Sequence, residues 1–149
     1  MKKRRIIPAL LTSAIAAGAF IGATAGNAQA ASGTSCSSWT INQNVWMRGC
    51  IQWSGTTADR AYTEVENRSG SSKEVAITAT LRDDDGNQLA YKREVKALAI
   101  NASTKVYTVW VDDFTWGPEK ASGSTSVRYS WMESFPTPFA TGWAFEPWY

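Results

Sequence analysis

Residues 73–95 read KEVAITATLRDDDGNQLAYKREV. Val75, Ile77, Ala79 and Leu81 alternate with Glu74, Ala76, Thr78, Thr80 and Arg82. Successive side chains of a strand point to opposite faces, so this run is a strand with one buried side. Asp85-Gly86 follows, and an Asp-Gly pair between two alternating runs is a hairpin signal, because both residues tolerate left-handed backbone. The return strand covers about 88–95, with Leu89, Tyr91 and Val95 on one side. A hairpin with one apolar face needs a second layer to cover it.

The flanks supply that layer. Asn101-Ala102-Ser103 marks a turn, and 104–111 (TKVYTVWV) is β-branched and aromatic, hence a strand. Val127, Tyr129 and Trp131 alternate with Arg128, Ser130 and Met132 in a late strand, and 112–124 reads as the loop before it. Upstream, 44–53 and 61–67 suit strands, with Gly70 and its serines as the turn before Lys73. After residue 30 no window holds the i, i+3, i+4, i+7 pattern of an amphipathic helix. The expected fold is all-β: an antiparallel, immunoglobulin-like β-sandwich of about seven strands over 36–133.

The two ends differ in kind. Residues 1–30 have the form of a secretory signal peptide: Lys2–Arg5, an apolar run to Ile21, and Ala28-Gln29-Ala30 as the small-x-small cleavage site. Residues 31–35 read as a flexible spacer. Residues 134–149 (SFPTPFATGWAFEPWY) form a Pro- and aromatic-rich tail packed on or beside the sandwich. Pro136, Pro138 and Pro147 cannot donate to a ladder, which excludes a central strand there, while 143–146 suits a short edge strand.

Loss of Lys2, Lys3, Arg4 and Arg5 with the leader turns the formal charge from +2 to −2. No basic patch points to nucleic acid, and no second apolar run is long enough for membrane insertion after cleavage. A secreted, extracellular monomer is expected. Cys36 and Cys50 then form one disulfide, closing a loop of about 15 residues worth about 3 kcal/mol in the chain-entropy model. The chain has no His, which removes Ser-His-Asp and Cys-His catalysis and His-ligated metals. No cofactor is expected.

Residues 62–110 resemble the FxLYD-type, immunoglobulin-like domains of bacterial secreted and envelope proteins, in the style of small secreted actinobacterial proteins. Val65-Glu66-Asn67 with its Ser/Gly turn, the strand ending at Leu81, Asp85-Gly86-Asn87, Leu98, the Asn101–Ser103 turn and the strand before Trp110 carry the resemblance. Leu81-Arg82-Asp83 stands where that family has an apolar-Tyr-Asp triplet. The resemblance implies a sandwich fold and a non-catalytic role.

Among candidate sites, Asp83, Asp85 and Asn87 have oxygen-ligand spacing for calcium, with Glu94 at the twelfth position, but Gln88 replaces the glycine of an EF-hand loop. Three adjacent aspartates also simply solvate a hairpin tip. Glu64 with Glu66, and Glu133 with Glu146, are the carboxylate pairs that a glycosidase would draw on. The aromatic surplus is more informative. Eight Trp, five Tyr and all Phe but Phe20 follow the leader. Trp110, Tyr129 and Trp131 sit on expected strands, where core packing is the default, and Trp39, Trp46 and Trp53 are placed to cover the disulfide. Phe114, Trp116, Phe135, Phe139, Trp143, Phe145, Trp148 and Tyr149 lie in the loop and tail, where they either cap the sandwich or form a binding surface. The expected function is non-catalytic recognition of a protein or cell-envelope component, including a cell-surface glycan. The alternatives are a carbohydrate-binding module using surface Trp, and a small hydrolase or a hydrolase inhibitor with 115–124 as its loop.

Overall fold

The computed structural model describes residues 32–55, 58–112, 119–128 and 131–146. The expected leader lies outside them, as do Phe114, Trp116, Tyr129, Trp148 and Tyr149. The described residues contain no helix, and none is long and apolar enough to cross a membrane. They build two antiparallel sheets. The first has β1 (Gly33–Cys36) and β2 (Thr40–Asn42) on one flank of β3 (Val45–Ser54), then β4 (Ala58–Asn67), then β7 (Ser103–Tyr107) and β8 (Val111–Asp112). The second orders β10 (Phe139–Ala140) and β11 (Ala144–Phe145), β9 (Lys120–Arg128), β5 (Lys73–Arg82) and β6 (Gln88–Leu98).

The hairpin that decided the fold is β5–β6. Its inner residues Val75, Ile77, Ala79 and Leu81 are fully buried, and β9 covers its other edge in register, Val75 opposite Val127 and Leu81 opposite Ala121. The core has two apolar clusters. One holds Met47, Val65, Ile77 and Val127, and the other holds Ile51, Trp53, Leu81 and Ala144. Between them the sheets close to a waist of small and hydroxyl-bearing residues. Thr63 Oγ1 of β4 donates to the Thr78 carbonyl of β5 at 2.6 Å, and the Gly123 N–H donates to Thr141 Oγ1 at 2.9 Å. A Cβ on Gly123 would stand 1.8 Å from Thr63 Oγ1, so only glycine fits there. Gly123 answers that close approach, while Ser122, Ser124 and Ser126 lie on the outer side, and together they give β9 (KASGSTSVR) a turn-like composition.

Loop positions are tied down by side chains. The Asn67 amide donates to the carbonyls of Ser71, Leu98 and Ala99 and accepts from Ser69, joining the β4–β5 and β6–β7 turns. Gln43 and Asn44, both with positive φ, make the two-residue turn of the β2–β3 hairpin. The disulfide Cys36–Cys50 joins directly opposed residues of β1 and β3, with Cα atoms 4.1 Å apart.

Several details depart from the sequence reading. Gly33 to Ser35, read as spacer, are part of β1; Trp53 lies over Gly33, where a Cβ would come within 2.4 Å of its ring. Residues 120–124, read as loop, belong to β9. The strand expected over 104–111 breaks at Thr108, whose hydroxyl takes the Ala61 N–H at 3.0 Å in place of a ladder carbonyl. Trp110 and Trp131 are accordingly not core residues: they are 43% and 74% exposed. Trp131 follows the end of β9. On β6, Leu89 packs against the core, but Tyr91 and Val95 face solvent. A register shift opposite Leu81 and Arg82 inserts Leu89 as an extra residue and changes the phase of everything after it. Lys92, Glu94 and Lys96 therefore share the inward parity of Ala90 and Leu98, paired along the rim as Lys92–Glu94 and Lys96–Glu94. Charges in that position discourage edge-to-edge pairing.

Candidate functional site

The phase change on β6 creates the main concavity. Outer residues of β5 and β9 are small: Ala76 faces Ser126, Thr78 faces Ser124 and Thr80 faces Ser122 across the ladder. Tyr91 and Arg93 rise from β6 beside Thr80 and Thr78. On the far side the tail doubles back, and Phe135, Pro136, Pro138 and Ala140 make the opposite wall. The result is an open groove of about 550 Å³. Pro is suited to the wall because it needs no N–H partner, and Ser126 Oγ pins it by donating to the Pro136 carbonyl at 2.8 Å.

The floor divides into used and available hydroxyls. Thr78 Oγ1 accepts the Ser124 N–H at 3.0 Å and lies 2.7 Å from Ser124 Oγ. Among the described residues the hydroxyls of Thr80 and Ser122 have no protein partner. Arg93 forms no ion pair among those residues either, so its guanidinium lines the wall as a donor. At the end near the β5–β6 turn, Arg82 stands opposite Lys120. Lys120 Nζ lies 5.4 Å from the Trp143 ring centre and donates to the Asp84 carbonyl at 3.2 Å. Trp143 and Phe145 flank the inward Ala144 on β11 and are exposed. Tyr91 and Phe135 line the groove beside its polar floor, and Trp143 and Phe145 lie next to Lys120, outside its lining.

A second hollow of about 400 Å³ lies between Ser71, Glu74, Arg128 and Met132. Its charges are closed on themselves, since Arg128 Nη2 meets both Glu74 carboxylate oxygens at 2.6 Å.

Of the expected aromatic residues, Phe135 lines the groove, Trp143 lies exposed beside Lys120, and Phe139 packs against the core cluster of Val75 and Ile77. Tyr91 and Arg93 were not singled out as site residues by sequence. A one-residue shift in the β6 phase is the signal that finds them, and it is visible only in the pairing.

The remaining candidates are placed as follows. Asp83 accepts both the backbone N–H and the Nδ2 of Asn87, at 2.7 and 2.8 Å, while Gly86 with φ of 92° closes the turn onto the Asp83 carbonyl. The Asn87 side-chain bond holds the Asp83 carboxyl below the usual aspartate range. This is a self-closed hairpin tip. No group of three or more His, Cys, Asp or Glu among the described residues is arranged to hold a metal ion. Glu64 and Glu66 do share the outer face of β4, each in ion pairs: Glu64 with Arg48 and Lys105, Glu66 with Arg68. Glu146 is buried, its N–H on the Glu119 carbonyl, and Glu133 is exposed.

No protein-family model and no curated protein matches the chain. Among solved structures it is similar to a β-glucuronidase from glycoside hydrolase family 2, at 16% identity and a TM-score of 0.39. The match covers 72% of this chain and 10% of that one, so the chain spans about a tenth of that enzyme's length.

Proposed function

We propose that this is a secreted, non-catalytic binding protein that holds an extended glycan chain of the cell envelope in the groove on its five-stranded sheet. The carrying observation is the pairing of free floor hydroxyls, Thr80 and Ser122, with the rings of Tyr91 and Phe135 that line the same groove. A sugar ring has apolar C–H faces and a polar rim. The first suit aromatic rings and the second suit hydroxyls and guanidinium donors. Binding sites combine apolar walls with a few placed polar groups in this way. The leader and the disulfide support an address outside the cytoplasm.

The test is retention on insoluble cellulose, chitin and peptidoglycan, with tryptophan fluorescence as a second readout. Retention on at least one, lost in Tyr91→Ala and Phe135→Ala variants that still fold, is expected. No retention on any of the three would sink the reading.

A further inference from the structure

The outer face of the six-stranded sheet has a different chemistry. Cross-strand neighbours form rungs: Trp46 with Glu66, Arg48 with Glu64 and Lys105, Cys50 with Tyr62 and Tyr107, Gln52 with Arg60. Three of its four cations are matched by carboxylates, as given above. Arg60 is not. Its Nε donates to Gln52 Oε1 at 2.9 Å, and its guanidinium carbon lies 4.3 Å from the Tyr107 ring centre and 4.5 Å from that of Trp110. Among the described residues no carboxylate reaches it. Asp112, opposite Ala58 one rung beyond, makes no ion pair with it.

We propose that Arg60 is a receptor for a carboxylate carried by an acidic segment of a partner protein, docked on the face opposite the groove. Two rings and Gln52 fix the guanidinium plane, so the two terminal nitrogens form a pre-organised fork, the geometry that carboxylates accept in bidentate fashion. Beside it Val109 is 74% and Trp110 43% exposed. An apolar margin around a charged centre, built from Trp, Tyr and Arg, is the composition of a protein–protein hot spot. Charge complementarity selects the occupant: an anion, with apolar side chains next to it. This inference does not rest on the groove.

The probe is the capped peptide Glu-Leu-Glu-Leu-Glu, titrated by calorimetry and by tryptophan fluorescence, against polyphosphate and a Lys-Leu-Lys-Leu-Lys control. Binding of the acidic peptide, weakened by salt, is expected. Arg60→Gln loses it by at least tenfold. Arg60→Lys, which keeps the charge but not the fork, loses most of it, and Val109→Ser, which leaves the stack in place, loses severalfold. All three still fold cooperatively and keep glycan retention. Absence of peptide binding in the wild type, equal binding by Arg60→Lys, or tighter binding of polyphosphate than of the peptide would each overturn the proposal.

Discussion

On the six-stranded sheet the solvent-side positions carry Trp46, Arg48, Arg60, Tyr62, Glu64 and Tyr107, whereas the equivalent rungs of the five-stranded sheet carry Ala76, Thr78, Thr80, Ser122, Ser124 and Ser126. The first face covers itself. Trp39 and Trp46 meet edge to face at 6.2 Å, Arg48 lies over Trp39, Arg68 over Trp46, and Lys105 over Tyr62. Burial pushes the Tyr62 phenol up, against the pull of Lys105, and its oxygen lies 3.7 Å from Cys36 Sγ. Between the Glu74–Arg128 and Arg82–Lys120 rungs the second face has no long side chains on its two central strands, and the tail crosses it instead. A ladder of large residues leaves a flat surface, while a floor of small ones between tall margins leaves a groove.

The largest effect would come from forcing the two faces apart. Gly123→Val drives a branched side chain into Thr63, and a loss of about 3 kcal/mol or more is expected in urea unfolding. A variant as stable as wild type would mean that the waist is not close-packed. Next is the disulfide, which belongs to the self-covering side. Cys36→Ser with Cys50→Ser should cost about 3 kcal/mol and leave glycan retention in place. An unchanged unfolding midpoint would remove the bridge from the account of stability.

A smaller contrast separates the faces directly. Trp39→Ala strips the platform beneath Arg48 and the edge contact with Trp46, a loss of about 1 kcal/mol. Ser122→Ala on the other face removes a hydroxyl that no described residue uses, and should stay within about 0.5 kcal/mol. Equal costs would erase the distinction between side chains that brace one face and floor hydroxyls left unpartnered on the other. The smallest effect is at the hairpin tip. The Asp83 carboxyl is held below its ordinary value of 3.8 in the folded protein. Its contribution is therefore present above that value and lost as pH falls through the lower folded one. Asp83→Asn is expected to be less stable than wild type at pH 7, with the gap closing below about pH 4. A gap of the same size at pH 3 would show that the charge plays no part.

Much of the fold was legible in residues 73–95. Alternation from Val75 to Leu81 marked an inner face, and Asp85-Gly86 a hairpin, because both signals depend only on neighbours in sequence. The cysteine pair was legible too, since two residues admit one internal bridge. Strand β9 was not. Its glycine is a response to Thr63 on the other sheet and its serines floor the outer groove, and nothing within Lys120–Arg128 reports either neighbour. Candidate aromatics were half legible for the same reason. Phe135 and Trp143 stood out by composition, but whether Phe139 turns inward and Trp143 outward follows from its pairing with β9.

By itself the sequence determined an all-β chain, the central hairpin, the disulfide and an unusual stock of aromatic rings. These follow from period, turn chemistry and counting, which are local properties. The tertiary structure decided which rings face solvent and where the groove lies. One extra residue in the β5–β6 ladder reversed the parity of β6, moving Tyr91 and Val95 out and three charges in. Parity beyond a bulge is set by the partner strand, and so by contacts between residues far apart in the chain.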